Sequence, residues 1–112
     1  MNSIAQLNKV FDSRVRLGIM SALLVNEDVN FNQLKELTEV TDGNLASHLK
    51  TLEQNEYIKV KKGFIGRKTN TVYTVTKTGE KAFKAHLDAL EQMIKSINYN
   101  SVIFPLEILL KL

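Results

Sequence analysis

Hydrophobic residues near the start of the chain recur at helical spacing. The first series, four residues apart, is Phe11, Val15, Ile19 and Leu23. Side chains spaced in this way lie on one side of an α-helix, so the pattern predicts a helix over about residues 12–25. A short helix over residues 3–9 is expected before it.

A second, shorter amphipathic helix is expected over about residues 31–38. Asn30 and Gln33 have the spacing of a capping box, which satisfies free backbone groups at the start of a helix. The preceding residues, 29–31, are too few for an independent element but could add a small edge strand. A turn over residues 38–41 follows, with Val40 positioned to touch the core.

The next helix, over about residues 42–54, has one apolar stripe and one polar face. Leu45, Leu49 and Leu52 form the stripe. Thr41 is a plausible N-cap, and a carboxylate at position 42 suits the positive end of the helix. The polar side chains are Asn44, Ser47, His48, Lys50 and Thr51. A major groove of DNA admits such a face, although an ordinary solvated surface helix has the same pattern.

Alternating apolar and polar residues then predict a β-hairpin. One strand is expected over residues 57–61 and the other over 71–76. The segment 62–70 between them contains two glycines and is predicted to be a flexible, basic loop. Its cations, and those of the adjacent strand, could contact phosphates or protect a sheet edge from aggregation.

A long final helix is predicted after Thr76, which can cap it. Its apolar residues are spaced alternately by four and three, and they are Phe83, Leu87, Leu90, Ile94 and Ile97. This spacing is typical of a paired helix, and we favour a subunit interface over an ordinary core helix. The apolar segment 102–112 is expected to fold back or to cover a partner chain.

Composition limits the class of protein further. The chain has 112 residues and 44% hydrophobic residues, which suits one globular domain. No apolar run is long enough to span a bilayer, so no membrane association is expected. The absence of cysteine excludes disulfides and thiolate metal sites and fits a reducing cytoplasm. Without a cysteine nucleophile or a glycine-rich phosphate loop, no enzyme activity, metal or cofactor is predicted.

Positive charge is concentrated in the middle of the chain. Residues 41–77 contain seven Lys or Arg against three Asp or Glu, a net charge of +4. Residues 1–40 have a net charge of −1 and residues 78–112 are balanced. A localised basic region is typical of proteins whose partner is a polyanion.

In this order, the elements resemble winged helix-turn-helix transcriptional regulators, in a short single-domain branch near the multiple-antibiotic-resistance regulator (MarR) family. The resemblance extends from Val29 to about Leu90 and is carried by the phrases LASHLKTLE and GRKTNTVYTVTKTGEKAF. It implies a mainly α fold with a small β-hairpin wing and dimerisation helices at both ends. One domain would cover residues 1–112, with the helix-turn-helix at about 31–55, the wing at 57–76, and the dimerisation helix and tail at 77–112.

The resemblance also implies a homodimer bound to double-stranded DNA, with the helix over 42–54 in the major groove. The candidate DNA-binding residues are Asn44, Ser47, His48, Lys50, Thr51, Lys61, Lys62, Arg67 and Lys68. The five-residue series that ends at Ile97 would form the dimer interface. A winged-helix module that binds another protein, and not DNA, is the alternative.

Overall fold

A computed structural model describes residues 4–97 of the chain. They belong to two compact units. Residues 8–83 form the first, and residues 4–7 and 84–97 belong to the second. The apolar segment over residues 102–112, predicted to fold back or to cover a partner, lies outside the described residues.

Three helices form most of the first unit: α1 at Arg14–Val25, α2 at Phe31–Thr38 and α3 at Asp42–Gln54. The three predicted helices are therefore confirmed. Ser13 caps α1, and Asn30 and Gln33 form the predicted capping box of α2.

The predicted helix over residues 3–9 is replaced by two 3-10 turns, Ile4–Gln6 and Lys9–Phe11. The side chain of Asn8 accepts a hydrogen bond from the backbone N–H of Val10, at 2.9 Å. This cap starts the second turn afresh, so a continuous helix does not pass through residue 8.

A three-stranded antiparallel sheet has the order β1-β3-β2, with β1 at Val29–Asn30, β2 at Ile58–Ile65 and β3 at Lys68–Val75. The small edge strand is therefore confirmed. The predicted flexible loop over 62–70 is wrong, because β2 and β3 pair as far as Ile65 opposite Lys68. Gly66 adopts a φ of 62°, which allows the chain to reverse in two residues. We call β2, the turn Gly66–Arg67 and β3 the wing.

The core of the first unit is built from side chains of the helices and the sheet. Phe11 stacks on Tyr57 and meets Phe83 edge to face, with ring centroids 5.4 Å and 5.1 Å apart. Phe83 is only 2% exposed. The prediction that Phe83 lies in a subunit interface is therefore wrong, since its ring is buried within its own chain.

A fourth helix, α4, at Lys77–Ile97, begins in the first unit. The Thr76 hydroxyl caps it as predicted, since it accepts from the backbone N–H of Gly79 at 2.9 Å and donates to the carbonyl of Glu56. A Cβ built on Gly79 would lie 2.1 Å from the carbonyl oxygen of Tyr57. A residue with a side chain could not occupy position 79 without a shift of the backbone, so glycine is required for the first turn of α4 to lie against the backbone of Tyr57.

The second unit contains the remainder of α4. Leu87, Ile94 and Ile97 are 41%, 56% and 60% exposed, and Leu90 is half-buried. The predicted apolar series is thus reduced to four members that reach the surface of the described chain. Among residues 4–97, no helix has the length and hydropathy needed to cross a membrane.

Candidate nucleic-acid interface

The outer face of α3 is exposed, as its pattern of residues predicts. Asn44, Ser47 and Lys50 lie in water on this face, while the three leucines of the helix are buried. Thr41 Oγ1 accepts from the backbone N–H of Asn44 at 3.1 Å, which caps the helix at the predicted residue. The polar face of α3 is therefore held by the core beneath it and by a cap at its start.

Thr51 is placed differently from the other predicted residues of this face. It is half-buried, and its hydroxyl donates to the carbonyl of Ser47, one turn earlier, at 3.2 Å. A hydroxyl that bonds its own helix is less available to a base edge than an uncommitted one. The exposed Asn44, Ser47 and Lys50 are consequently the better placed members of the predicted set.

His48 links α3 to α1 and does not project freely into solvent. Arg16 Nη1 lies 2.8 Å from His48 Nδ1, and Arg16 Nε donates to the carbonyl of Val10. Because a guanidinium can only donate, Nδ1 accepts and the ring proton lies on Nε2. Burial, and then the charge of Arg16, lower the pKa of His48 below its usual value. The imidazole is therefore neutral near pH 7, and its exposed edge can only donate.

The wing separates the basic residues that were predicted to act together. Alternate residues of a strand point to opposite faces. Lys62 lies on the same face of β2 as Val60, which packs against the core, whereas Lys61 lies on the other face. Lys61 Nζ is 3.9 Å from Asp28 Oδ1 on that face. Of these two lysines, only Lys62 is on the side of the wing that faces α3.

Arg67 and Lys68 are at the far end of the wing. Arg67 is the second residue of the turn, and Lys68 begins β3 opposite Ile65. Both side chains are exposed. The alternation of the strands places Lys68 on the Lys61 face, so Lys68 does not share one surface with Lys62.

An open groove of about 870 Å³ separates α3 from the wing. Its walls include Ala46, Lys50 and Glu53 of α3 and Val60, Lys62 and Thr71 of the wing. Tyr73, also in the lining, has its pKa raised by burial and then by the nearby Glu53 carboxylate, so it stays protonated. The outer face of α3 and the wing thus border the same groove, whose lining contains three lysines, Lys50, Lys59 and Lys62, and one glutamate, Glu53.

The wing as a whole is basic and lacks acidic residues. Residues 58–75 include no Asp or Glu, and their five basic residues are Lys59, Lys61, Lys62, Arg67 and Lys68. Such a surface attracts phosphates and repels no anion. At the start of α3, by contrast, Lys35 pairs with Asp42, which offsets the one carboxylate of the first turn.

Two residues near this surface were not predicted. Gln54 is exposed and lies seven residues after Ser47, so helical periodicity was sufficient to place it on the same face of α3. Arg16 contacts His48, which is 32 positions away in the sequence, and no local sequence pattern predicts such a pair. Within residues 4–97, no three His, Asp or Glu side chains are grouped closely enough to hold a metal ion.

Comparison with known proteins agrees with the geometry of these elements. Residues 15–94 match the family of winged helix DNA-binding domains. The chain belongs to this family. The winged helix fold predicted from the sequence is therefore confirmed.

Related winged helix proteins cover most of the chain. It is 39% identical over 89 residues to the uncharacterized protein MJ0432 of Methanocaldococcus jannaschii, which covers 80% of this chain and 97% of that protein. A transcriptional regulator homologue from Pyrococcus horikoshii OT3 is 32% identical with a TM-score of 0.68, covering 85% and 99% of the two chains. A MarR-family structure from Porphyromonas gingivalis W83 shares the fold, with 20% identity, a TM-score of 0.59 and coverage of 83% and 85%.

Proposed function

We propose that this winged helix protein is a cytoplasmic transcriptional regulator that binds a specific double-stranded DNA sequence as a homodimer. The observation that carries the proposal is the groove whose two walls are the polar face of α3 and one face of an acid-free, cationic wing. In this arrangement α3 enters the major groove and the wing lies on the flanking groove. The Pyrococcus horikoshii structure, a transcriptional regulator homologue, supports the same assignment.

The exposed residues of α3 provide the sequence discrimination. Asn44 can both donate to and accept from the edge of an adenine, which is the contact that its amide favours. Ser47 is small enough to allow close approach of the helix to the bases. Lys50 can donate to a guanine or to a phosphate. His48, held neutral by its bond to Arg16, offers a single Nε2 donor to a base or a phosphate.

The wing provides affinity that does not depend on sequence. Lys62 faces α3 and is placed to contact a phosphate beside the major groove, while Arg67 at the turn reaches the flanking groove. Phosphate contacts release counterions from DNA, so each one makes affinity more sensitive to salt. Lys61 and Lys68, on the other face, contribute mainly to the long-range field.

A homodimer accounts for the exposed apolar stripe of α4. Leu87, Leu90 and Ile94 have the i, i+3, i+7 spacing of a helix seam, and Ile97 extends it. Leaving these side chains in water is unfavourable, and a second copy of the same helix would cover them. Two copies of α3 would then read two half-sites about one helical turn apart.

Two substitutions test whether α3 provides sequence discrimination and the wing provides affinity that does not depend on sequence. Asn44→Ala should cost about 1–3 kcal/mol on the specific duplex and little on a scrambled one. Arg67→Ala should weaken binding to both duplexes alike and should reduce the salt dependence by about one phosphate contact. Fluorescence anisotropy at several salt concentrations measures both effects. Equal losses from both variants on both duplexes would reject the assignment of roles.

A protein-binding module is the second candidate. The exposed Phe64 and Ile65 on the wing favour it, because apolar and aromatic residues are enriched in the centres of protein interfaces. The absence of acidic residues from the wing favours DNA. Retention on a calf-thymus DNA column at low salt separates the two, since a protein-binding module would pass through.

A further inference from the structure

The tip of the wing carries two large apolar side chains that the fold does not use. Phe64 and Ile65 are 74% and 69% exposed. The last strand pair that packs on the core is Val60 with Tyr73, and five more pairs separate it from the turn. At the rise of a β-strand, Ile65 lies roughly 17 Å beyond Val60. Neither side chain therefore stabilises the hydrophobic core.

The surroundings of these two residues favour an anionic partner. The wing has five basic residues and no acidic one, with Lys62 before the apolar pair and Arg67 after it. A second copy of the wing would be repelled by this charge, as would a basic protein surface. A nucleic acid offers the complementary charge together with an apolar interior, the stacked bases.

Glycines on both sides leave the apolar pair prominent. Gly63 and Gly66 immediately flank Phe64 and Ile65, and a Cβ at either glycine would meet no other atom within 4 Å. The backbone of the tip can thus approach a ligand closely, without neighbouring side chains in the way.

We propose that Phe64 is a wedge that enters the minor groove beside the α3 site and inserts between two base pairs. The inference rests on the DNA-binding function proposed above and names a contact that the basic residues alone do not make. Phe64 is chosen over Ile65 because it shares the strand face of Lys62, which borders the groove next to α3. Ile65 points to the opposite face, toward the side of Lys61.

An inserted wedge has consequences for the DNA. Partial unstacking of one step kinks the duplex toward the major groove. Pyrimidine–purine steps such as TA and CA unstack most readily, so they should be preferred where the wing lies. The protein would thereby discriminate among flanking sequences without a hydrogen bond to them.

The test uses the full chain and a duplex selected from a random pool, with 2-aminopurine replacing flanking adenines one at a time. Wild-type protein should raise the fluorescence at one flanking step and bend the duplex in a circular-permutation gel. Phe64→Ala should abolish both signals and weaken binding about tenfold. Ile65→Ala, the matched control on the other face, should leave both unchanged, and Phe64→Leu should retain the bend because leucine also acts as a wedge.

Each contrary result is distinct. If the wild-type chain binds no duplex, the proposed function fails and the wedge fails with it. If binding is specific but Phe64→Ala bends DNA as the wild type does, or Ile65→Ala gives the same loss, only the wedge is overturned. A Phe64→Ala variant that lowers the self-association of the free protein would also overturn it. Equal melting temperatures of all variants are expected, since the side chain is outside the core.

Discussion

At the scale of single residues, two contacts each depend on the identity of one residue. Gly79 brings the first turn of α4 against the carbonyl of Tyr57. His48 accepts a hydrogen bond from Arg16 and so connects α3 to α1. Both contacts join parts of the fold that are distant in sequence, so each can be tested by its effect on stability.

Gly79→Ala should destabilise the protein. The new Cβ would lie 2.1 Å from a backbone oxygen, which cannot move as a side-chain end can. Overpacking of this kind costs about 1–3 kcal/mol. Gly18→Ala is the matched control in a helix, since a Cβ there meets nothing within 4 Å. It should stabilise the protein by up to about 1 kcal/mol. Urea unfolding measures both, and equal effects would contradict the close approach.

Acid should weaken the fold through His48. The pKa of His48 is lowered in the folded state, so the unfolded chain binds more protons once the pH falls below the usual value of 6.5. This contribution is complete above that value and is lost as the pH falls toward the folded-state pKa. His48→Gln keeps an acceptor but does not titrate. Its free energy of unfolding should fall less than that of the wild type between about pH 7.5 and pH 5.5. Identical pH dependence would contradict the lowered pKa of His48.

At the scale of elements, the two faces of the wing have different roles. Lys62→Ala should weaken binding to any duplex and lower the salt slope by about 0.9, the value of one phosphate. Lys61→Ala removes the same charge from the same strand, but from the face beside Asp28. Its effect on affinity and salt slope should be small. Equal changes in affinity and salt slope for the two variants would contradict the proposal that only the Lys62 face of the wing contacts DNA.

Most elements could be predicted because each has a strong local signal. The leucine spacing of α3, the capping box of α2 and the cap at Thr76 all depend on neighbours within a few residues. The extent of the wing could not be predicted in this way. Beyond Val60 every residue of β2 is exposed, so the alternation that marks a half-buried strand disappears there while backbone pairing to β3 continues.

The candidate site was predictable only where it follows helical periodicity. The exposure of Asn44, Ser47 and Lys50 agrees with the pattern of α3. The contact between Arg16 and His48 depends on tertiary packing, as does the burial of Phe83 against Phe11. In the sequence, the adjacent Lys61 and Lys62 form one basic cluster. The alternation of side chains along β2 places them on opposite faces of the wing.

At the scale of the whole molecule, the proposed DNA binding requires two copies of the chain. Ile94→Glu places a charge in the exposed apolar stripe of α4 and should raise the dimer dissociation constant at least tenfold, since burial of one isoleucine contributes about 1.5–3 kcal/mol. Gln92→Glu introduces the same side chain at another exposed position of the helix and should have little effect. Sedimentation equilibrium measures both constants, and equal constants would mean that the stripe is not the interface.

Selection of bound sequences from a random duplex pool is the most direct test of specific DNA binding by a dimer of this chain. The bound pool should be enriched in an inverted repeat, with half-sites centred about 10–10.5 base pairs apart or a multiple of that distance. The Asn44→Ala variant should lose the preference at one position of each half-site. A bound pool that remains as random as the input, for a protein that is folded and dimeric, would contradict the proposal that this chain reads DNA.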